Sequence, residues 1–174
     1  EVIPSGSALG ADIKGIDFSK PLSDDDRAFV KQAWNDHLVV RFRDQDLSDE
    51  DLVRLADDFG GSQVAGSRQY YINAGYDTKS GRVSHLPGIT IISNLDRDGN
   101  PEKENSGTGS SELYWHTDNS YVDNPPKGSI LYGIQVPING GGDTSFVNQY
   151  ETYEALPMAM KERLLNLHIR HDNS

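Results

Sequence analysis

At 174 residues the chain is long enough for one domain with a buried core. It carries 27 Asp and Glu against 16 Lys and Arg, a formal charge of −11, which repels phosphate backbones and argues against a nucleic-acid partner. It contains no cysteine, which excludes disulfides, thiolate nucleophiles and Cys-based zinc sites and leaves any metal to His and carboxylates.

From the N-terminus, Ala11 to Phe18 alternates apolar and polar residues and reads as a short strand. Ser23 is placed to cap a helix over about 24 to 37, with Asp24, Asp25 and Asp26 favourable in its first turn. The run from His37 to Phe42 is rich in β-branched residues and reads as a buried strand. A second helix starts at Ser48-Asp-Glu-Asp51, carries Leu52, Leu55, Ala56 and Phe59 on one face, and is stopped by Gly60-Gly61. Residues 61 to 88 lack a clear period and hold Tyr70, Tyr71 and Tyr76. Gly88 to Leu95 reads as a central strand, 96 to 111 as a polar Gly-rich loop, and 112 to 120 as extended. After Pro125-Pro126, strands are expected over 129 to 137 and 144 to 147, separated by Gly140-Gly-Gly142. Two short helices, 149 to 156 and 157 to 167, and a last strand over 167 to 171 complete the chain. Short strands with Gly and Pro turns, and helices mostly at the front, point to an α+β arrangement around a β-sandwich or jelly roll.

Apolar residues make up 35% of the chain and the mean hydropathy is −0.62. No apolar run approaches membrane-spanning length and no signal peptide is visible, so a membrane partner is not expected. The lack of cysteine fits a reducing cytoplasm. The chain opens on Glu1 rather than Met, which suggests that the natural N-terminus lies upstream.

The chemistry centres on His116 and Asp118. On a strand, residues i and i+2 share a face, so an imidazole and a carboxylate at this spacing can converge on one metal ion. That pair plus a distant His makes a facial triad, a donor set suited to Fe(II) with three open positions. The triplet carries little weight alone, since five His and 19 Asp in 174 residues predict about 0.5 His-x-Asp matches by chance.

The neighbourhood is more specific. The run Tyr114-Trp-His-Thr-Asp-Asn-Ser-Tyr121, then Pro125-Pro126, Leu131-Tyr132, Val136-Pro137 and Gly141-Gly-Asp-Thr144, resembles the taurine dioxygenase / 2,4-dichlorophenoxyacetate dioxygenase family. Earlier segments resemble it in the same order: Ile16-Asp-Phe-Ser-Lys-Pro-Leu22, Val40-Arg-Phe-Arg-Asp-Gln45, Phe59-Gly60 and Ile92-Ser-Asn94. The resemblance implies a double-stranded β-helix (jelly-roll) core with the N-terminal helices packed on it, residues 1–174 being a single dioxygenase domain incomplete at its C-terminus. It implies that His116 and Asp118 bind Fe(II) and that the Thr144 hydroxyl hydrogen-bonds a carboxylate of the co-substrate 2-oxoglutarate. The reaction it implies consumes O2. One atom enters 2-oxoglutarate, which becomes succinate and CO2; the other is spent on a substrate C–H bond. A carboxylate at 118 argues against halogenation, for which related enzymes carry a small residue there, and for hydroxylation or oxidative cleavage.

The second His ligand and an Arg for the far carboxylate normally lie beyond the point where this chain ends; His168 and His171 fall in a run that matches a structural strand instead. Taurine enzymes carry a substrate-binding His soon after the Phe-Gly that matches Phe59-Gly60, and an Asn where this chain has Glu112, so the substrate is read as a small anionic or amino-acid-like molecule other than taurine. Arg68, Tyr70, Asn94, Asn119 and Tyr121 are the candidates to line its pocket, with Tyr71 beside them. The expected partner is this small molecule, with a homo-oligomer left open. Two alternatives stand beside this reading: a catalytically inactive jelly-roll binding or assembly domain, and a metal-dependent jelly-roll enzyme that uses no 2-oxoglutarate.

Overall fold

The computed structural model describes residues 1–64, 68–79, 83–93, 100, 115–141 and 143–170. The elements in chain order are β1 (Val2–Pro4), β2 (Ala11–Ile13), α1 (Asp24–His37), β3 (Val40–Phe42), α2 (Asp49–Asp58), α3 (Arg68–Asn73), α4 (Gln149–Glu154) and α5 (Met158–Leu164). They fall into two compact units, one of Glu1–Asp46, Asn119–Pro125 and Asp143–Ser174, the other of Leu47–Asp118 and Pro126–Gly142.

In the first unit, β2 lies between β1 and β3, antiparallel to the former and parallel to the latter. Ala11 and Ile13 alternate inward from β2 and are buried with Ala33 of α1, while Val2, Ile16, Phe29, Val40 and Phe42 pack around them. Helix α1 begins where the sequence predicts. The Ser23 hydroxyl accepts from the Asp26 amide at 3.1 Å, and three Asp side chains occupy the positive end of the helix dipole. It ends at Leu38, whose φ of 65° is rare for a Leu. Two hydrogen bonds hold that conformation. The Leu38 amide donates to the Trp34 carbonyl at 2.7 Å, and the Trp34 indole donates to the Leu38 carbonyl at 3.1 Å.

Gln45 bonds to the stretches that follow β2 and β3. Its Oε1 accepts from the Phe18 amide at 3.0 Å, and its Nε2 donates to the carbonyls of Ile16 and Arg43, each at 3.1 Å. Phe18 then meets Phe42 edge-on at 4.6 Å between ring centroids. Helix α4 is capped by Asn148, whose Oδ1 accepts from the Tyr150 and Glu151 amides and whose Nδ2 donates to the Ala8 carbonyl at 2.7 Å. Helix α5 follows Pro157, placed where its missing N–H costs nothing.

The second unit opens on α2, started by a capping box between Ser48 and Asp51. Gly60 and Gly61, at φ 132° and 97°, turn the chain out of the helix. The phenol oxygen of Tyr132 accepts from the Leu47 amide at 3.1 Å. The chain at 61–64 passes so close to Gly88 that a Cβ there would sit 2.9 Å from Ser62 Cβ.

Four helices thus match the sequence reading to within a few residues. Helix α3, in the stretch without a clear period, and strand β1 were not expected. The strands expected over 88–95, 129–137, 144–147 and 167–171 differ: among their described residues none forms a strand, and the nearest approach is a single bridge between Val83 and Thr90. A strand exists only when its backbone groups find a partner, whatever its side chains favour. The apolar residues of these runs are correspondingly open, with Ile134 at 86% and Ile138 at 97% exposure. The double-stranded β-helix is accordingly not assembled among the described residues, which carry one three-stranded sheet. No helix among them is long and apolar enough to cross a membrane.

Two substitutions probe this packing. Gln45→Ala is expected to lower stability by about 1–3 kcal/mol, because it removes the hydrogen bonds to the Phe18 amide and to the Ile16 and Arg43 carbonyls. Gly88→Ala is expected to cost about 1–3 kcal/mol, because the added methyl pushes against Ser62. Chemical denaturation of each variant checks both; unchanged midpoints would contradict these contacts.

Candidate metal centre

Residues 115–124 run as bends and turns rather than the extended strand expected from 112 to 120, of which 112–114 lie outside the described residues. The bend has a local cause. Asn119 sits at φ 52°, a left-handed conformation that Asn tolerates better than most residues. The Val122 amide donates to its carbonyl at 3.3 Å, and the Tyr121 hydroxyl donates to its Oδ1 at 3.3 Å.

Before this turn, His116 Nε2 lies 3.2 Å from Asp118 Oδ1. The two side chains are 56% and 66% exposed, so as a bare pair they contribute little to stability. Their spacing also fits a shared ion. Two adjacent ligands held about 2.1 Å from a metal at a right angle lie about 3 Å apart. An imidazole nitrogen and a carboxylate oxygen therefore stand where two neighbouring corners of one coordination sphere would be. Among the described residues no third His or carboxylate joins them. His85 is engaged elsewhere, 3.2 Å from Glu50 Oε1; His37 ends α1, His168 is exposed after α5, and His171 lies outside the described residues.

Thr144 is exposed in an irregular stretch of the first unit. Gly140 and Gly141 before it are at φ 80° and 93°, conformations that favour glycine, and Gly142 lies outside the described residues. Of the substrate candidates, Arg68 opens α3 half-buried, with its Nη1 donating to the Ser84 carbonyl. Tyr70 is 71% exposed and meets Tyr71 edge-on at 5.4 Å. Asn119 and Tyr121 pair with each other through the turn, and Asn94 lies outside the described residues.

Sequence reasoning overlooked Ser84. This residue is 4% exposed, and its hydroxyl donates to Asp49 Oδ2 at 3.0 Å and accepts from the Leu86 amide at 3.1 Å. A lone Ser in an irregular stretch gives no signal by which to find it. His85 beside it lies 3.2 Å from Glu50 Oε1; a hydrogen bond from Glu50's own backbone amide, and then this contact with His85, hold the Glu50 carboxyl below the usual carboxylate range.

The whole chain, residues 1–174, matches the family model described as Taurine catabolism dioxygenase TauD, TfdA family. Pentalenolactone F synthase from Streptomyces avermitilis is 33% identical over 168 residues, covering 95% of this chain and 50% of its own length. Alkylsulfatase from Acinetobacter baylyi is 32% identical over 166 residues, covering 95% of this chain and 44% of its own length. The alpha-ketoglutarate-dependent 2,4-dichlorophenoxyacetate dioxygenase of Cupriavidus pinatubonensis is 25% identical over 174 residues, covering 97% of this chain and 56% of its own length. The chain spans about half the length of these curated relatives. A match that runs from residue 1 to residue 174 and includes the His116–Asp118 pair places the chain in the TauD/TfdA dioxygenase family.

Proposed function

We propose that this chain carries two of the three iron ligands, His116 and Asp118, of a cytoplasmic Fe(II)- and 2-oxoglutarate-dependent dioxygenase. The observation that supports this most is the 3.2 Å approach of His116 Nε2 to Asp118 Oδ1 in a chain that matches the family over its full length. His116 supplies a neutral nitrogen donor and Asp118 one negative charge, a borderline set suited to a divalent iron. One charge against two leaves the site net positive, which favours an anionic co-substrate beside it. The Thr144 hydroxyl then donates to a carboxylate of 2-oxoglutarate. When bound, iron activates O2 with the electrons of the 2-oxo acid, releasing succinate and CO2 and oxidising a substrate C–H bond. The substrate is a small anionic or amino-acid-like molecule other than taurine, which is hydroxylated or oxidatively cleaved. Residues 1–174 belong on this reading to a single domain with a jelly-roll core. The exposed apolar side chains of Ile130, Leu131, Ile134 and Val136 support it, being those a further sheet would cover.

Anaerobic addition of Fe(II) and 2-oxoglutarate to the intact protein tests the reading. A weak visible metal-to-ligand charge-transfer band is expected. His116→Ala and Asp118→Ala are each expected to abolish it and to weaken Fe(II) binding at least about tenfold, the loss of one ligand being no smaller than that of a supporting hydrogen bond. No band in the folded wild type would favour a catalytically inactive domain or a metal enzyme without a 2-oxo acid. Thr144→Ala is expected to keep iron affinity but raise the 2-oxoglutarate concentration that half-saturates the band by about five- to tenfold, the scale of one hydrogen bond to a charged group.

A further inference from the structure

Asn139 is the one asparagine of the chain that glycine follows. The order matters chemically. The main-chain nitrogen of the next residue can attack the carboxamide carbon of an asparagine and close a five-membered ring, and a Cβ on that next residue stands in the way. Glycine has none. The space around Gly140 is also empty, since a Cβ built there would meet no atom within 4 Å.

The fold leaves this dipeptide uncommitted. Ile138 and Asn139 lie in a turn of the second unit, and residues 138–141 are all exposed. Among the described residues, no hydrogen bond holds the Asn139 carboxamide. Gly140 and Gly141, at φ 80° and 93°, give the main chain the latitude to bring a nitrogen up to the side chain. Other asparagines differ on both counts. Asn148 spends its carboxamide on the Tyr150 and Glu151 amides and the Ala8 carbonyl, and Gln149 follows it. Asn73 accepts from Gln69 Nε2 at 2.8 Å and precedes Ala74; Asn119 accepts from the Tyr121 hydroxyl and precedes Ser120.

We propose that Asn139-Gly140 is a self-modification site, at which the folded protein converts Asn139 to a succinimide and then to a mixture of aspartate and isoaspartate. The Gly140 nitrogen gives its proton to a buffer base and bonds to Asn139 Cγ. The Cγ–Nδ2 bond breaks, and Nδ2 takes up a proton and leaves as ammonia. Water then opens the ring. Attack at Cγ gives aspartate with the main chain unchanged. Attack at the main-chain carbonyl carbon gives isoaspartate, whose main chain runs through Cβ and Cγ and is longer by one methylene. No electrons are gained or lost, and the only co-reactant is water. Either product adds one negative charge to the run that leads to Thr144. The inference stands apart from the dioxygenase reading, and its readout is a mass rather than an activity.

The intact protein is incubated in mildly alkaline buffer and digested with trypsin. Cleavage after Lys127 and Lys161 gives one peptide that holds both Asn139 and Asn148, so each molecule carries its own comparison. A gain of about 1 Da, the exchange of NH2 for OH, is expected at residue 139 and not at residue 148. Fragment ions are expected to show both aspartate and isoaspartate there. The folded protein is expected to lose the amide within about threefold of the rate of the chain unfolded in urea, because an exposed loop opens at almost no free-energy cost. Asn139→Gln, which would need a six-membered ring, is expected to abolish the gain. An amide retained in the folded protein but lost in urea overturns the proposal, as does equal conversion of Asn139 and Asn148. Aspartate without isoaspartate overturns the cyclic route.

Discussion

Strand β2 hydrogen-bonds along both edges, to β1 on one side and β3 on the other, and the first unit is built outward from that arrangement. Once Ala11 and Ile13 face inward, the parallel pairing with β3 requires the chain to travel away and return, and α1 is that connection. The burial of Ala33 against the strand fixes which side of α1 faces the sheet. Small residues at 11 and 33 let helix and strand approach closely, so the larger side chains of Phe29 and Phe42 fill the margin rather than the centre. Gln45 then ties three backbone groups, the Phe18 amide and the carbonyls of Ile16 and Arg43.

The candidate metal centre obeys a different constraint. Its two side chains are separated by one residue, so a small number of backbone torsions decides whether they meet. A strand would bring them to one face; the observed bend also does so, with the nitrogen and the oxygen at 3.2 Å. The conformation that follows is stabilised by residue type, since Asn119 accepts the left-handed geometry and its side chain takes a hydrogen bond from Tyr121. More than half of each of the two side chains is open to solvent, so the pair is held by its short chain separation rather than by burial.

In the second unit, polar contacts do the work that apolar burial does in the first. Asp49, Ser84 and the Arg68 guanidinium form a line of hydrogen bonds from α2 to α3, and His85 adds a contact to Glu50. Leu55 and Val83 are its buried apolar residues among those described, a small core for the number of residues involved.

The sequence by itself determined the features that depend on neighbours a few positions away. Ser23, Ser48, Asn148 and Pro157 set the starts of four helices because a cap or an absent N–H acts within one turn. Family membership was also legible, because Trp115-His-Thr-Asp118 and the segments around it keep their order along the chain. Tertiary structure alone decided what needs a distant partner. The β-rich run from 129 to 137 reads as a strand, yet a strand is a property of two chain segments, and among the described residues no second segment pairs with it. Likewise, nothing local distinguishes Ser84 from a surface serine; that distinction comes from Arg68 and Asp49, 16 and 35 positions away along the chain, at separations that only folding closes.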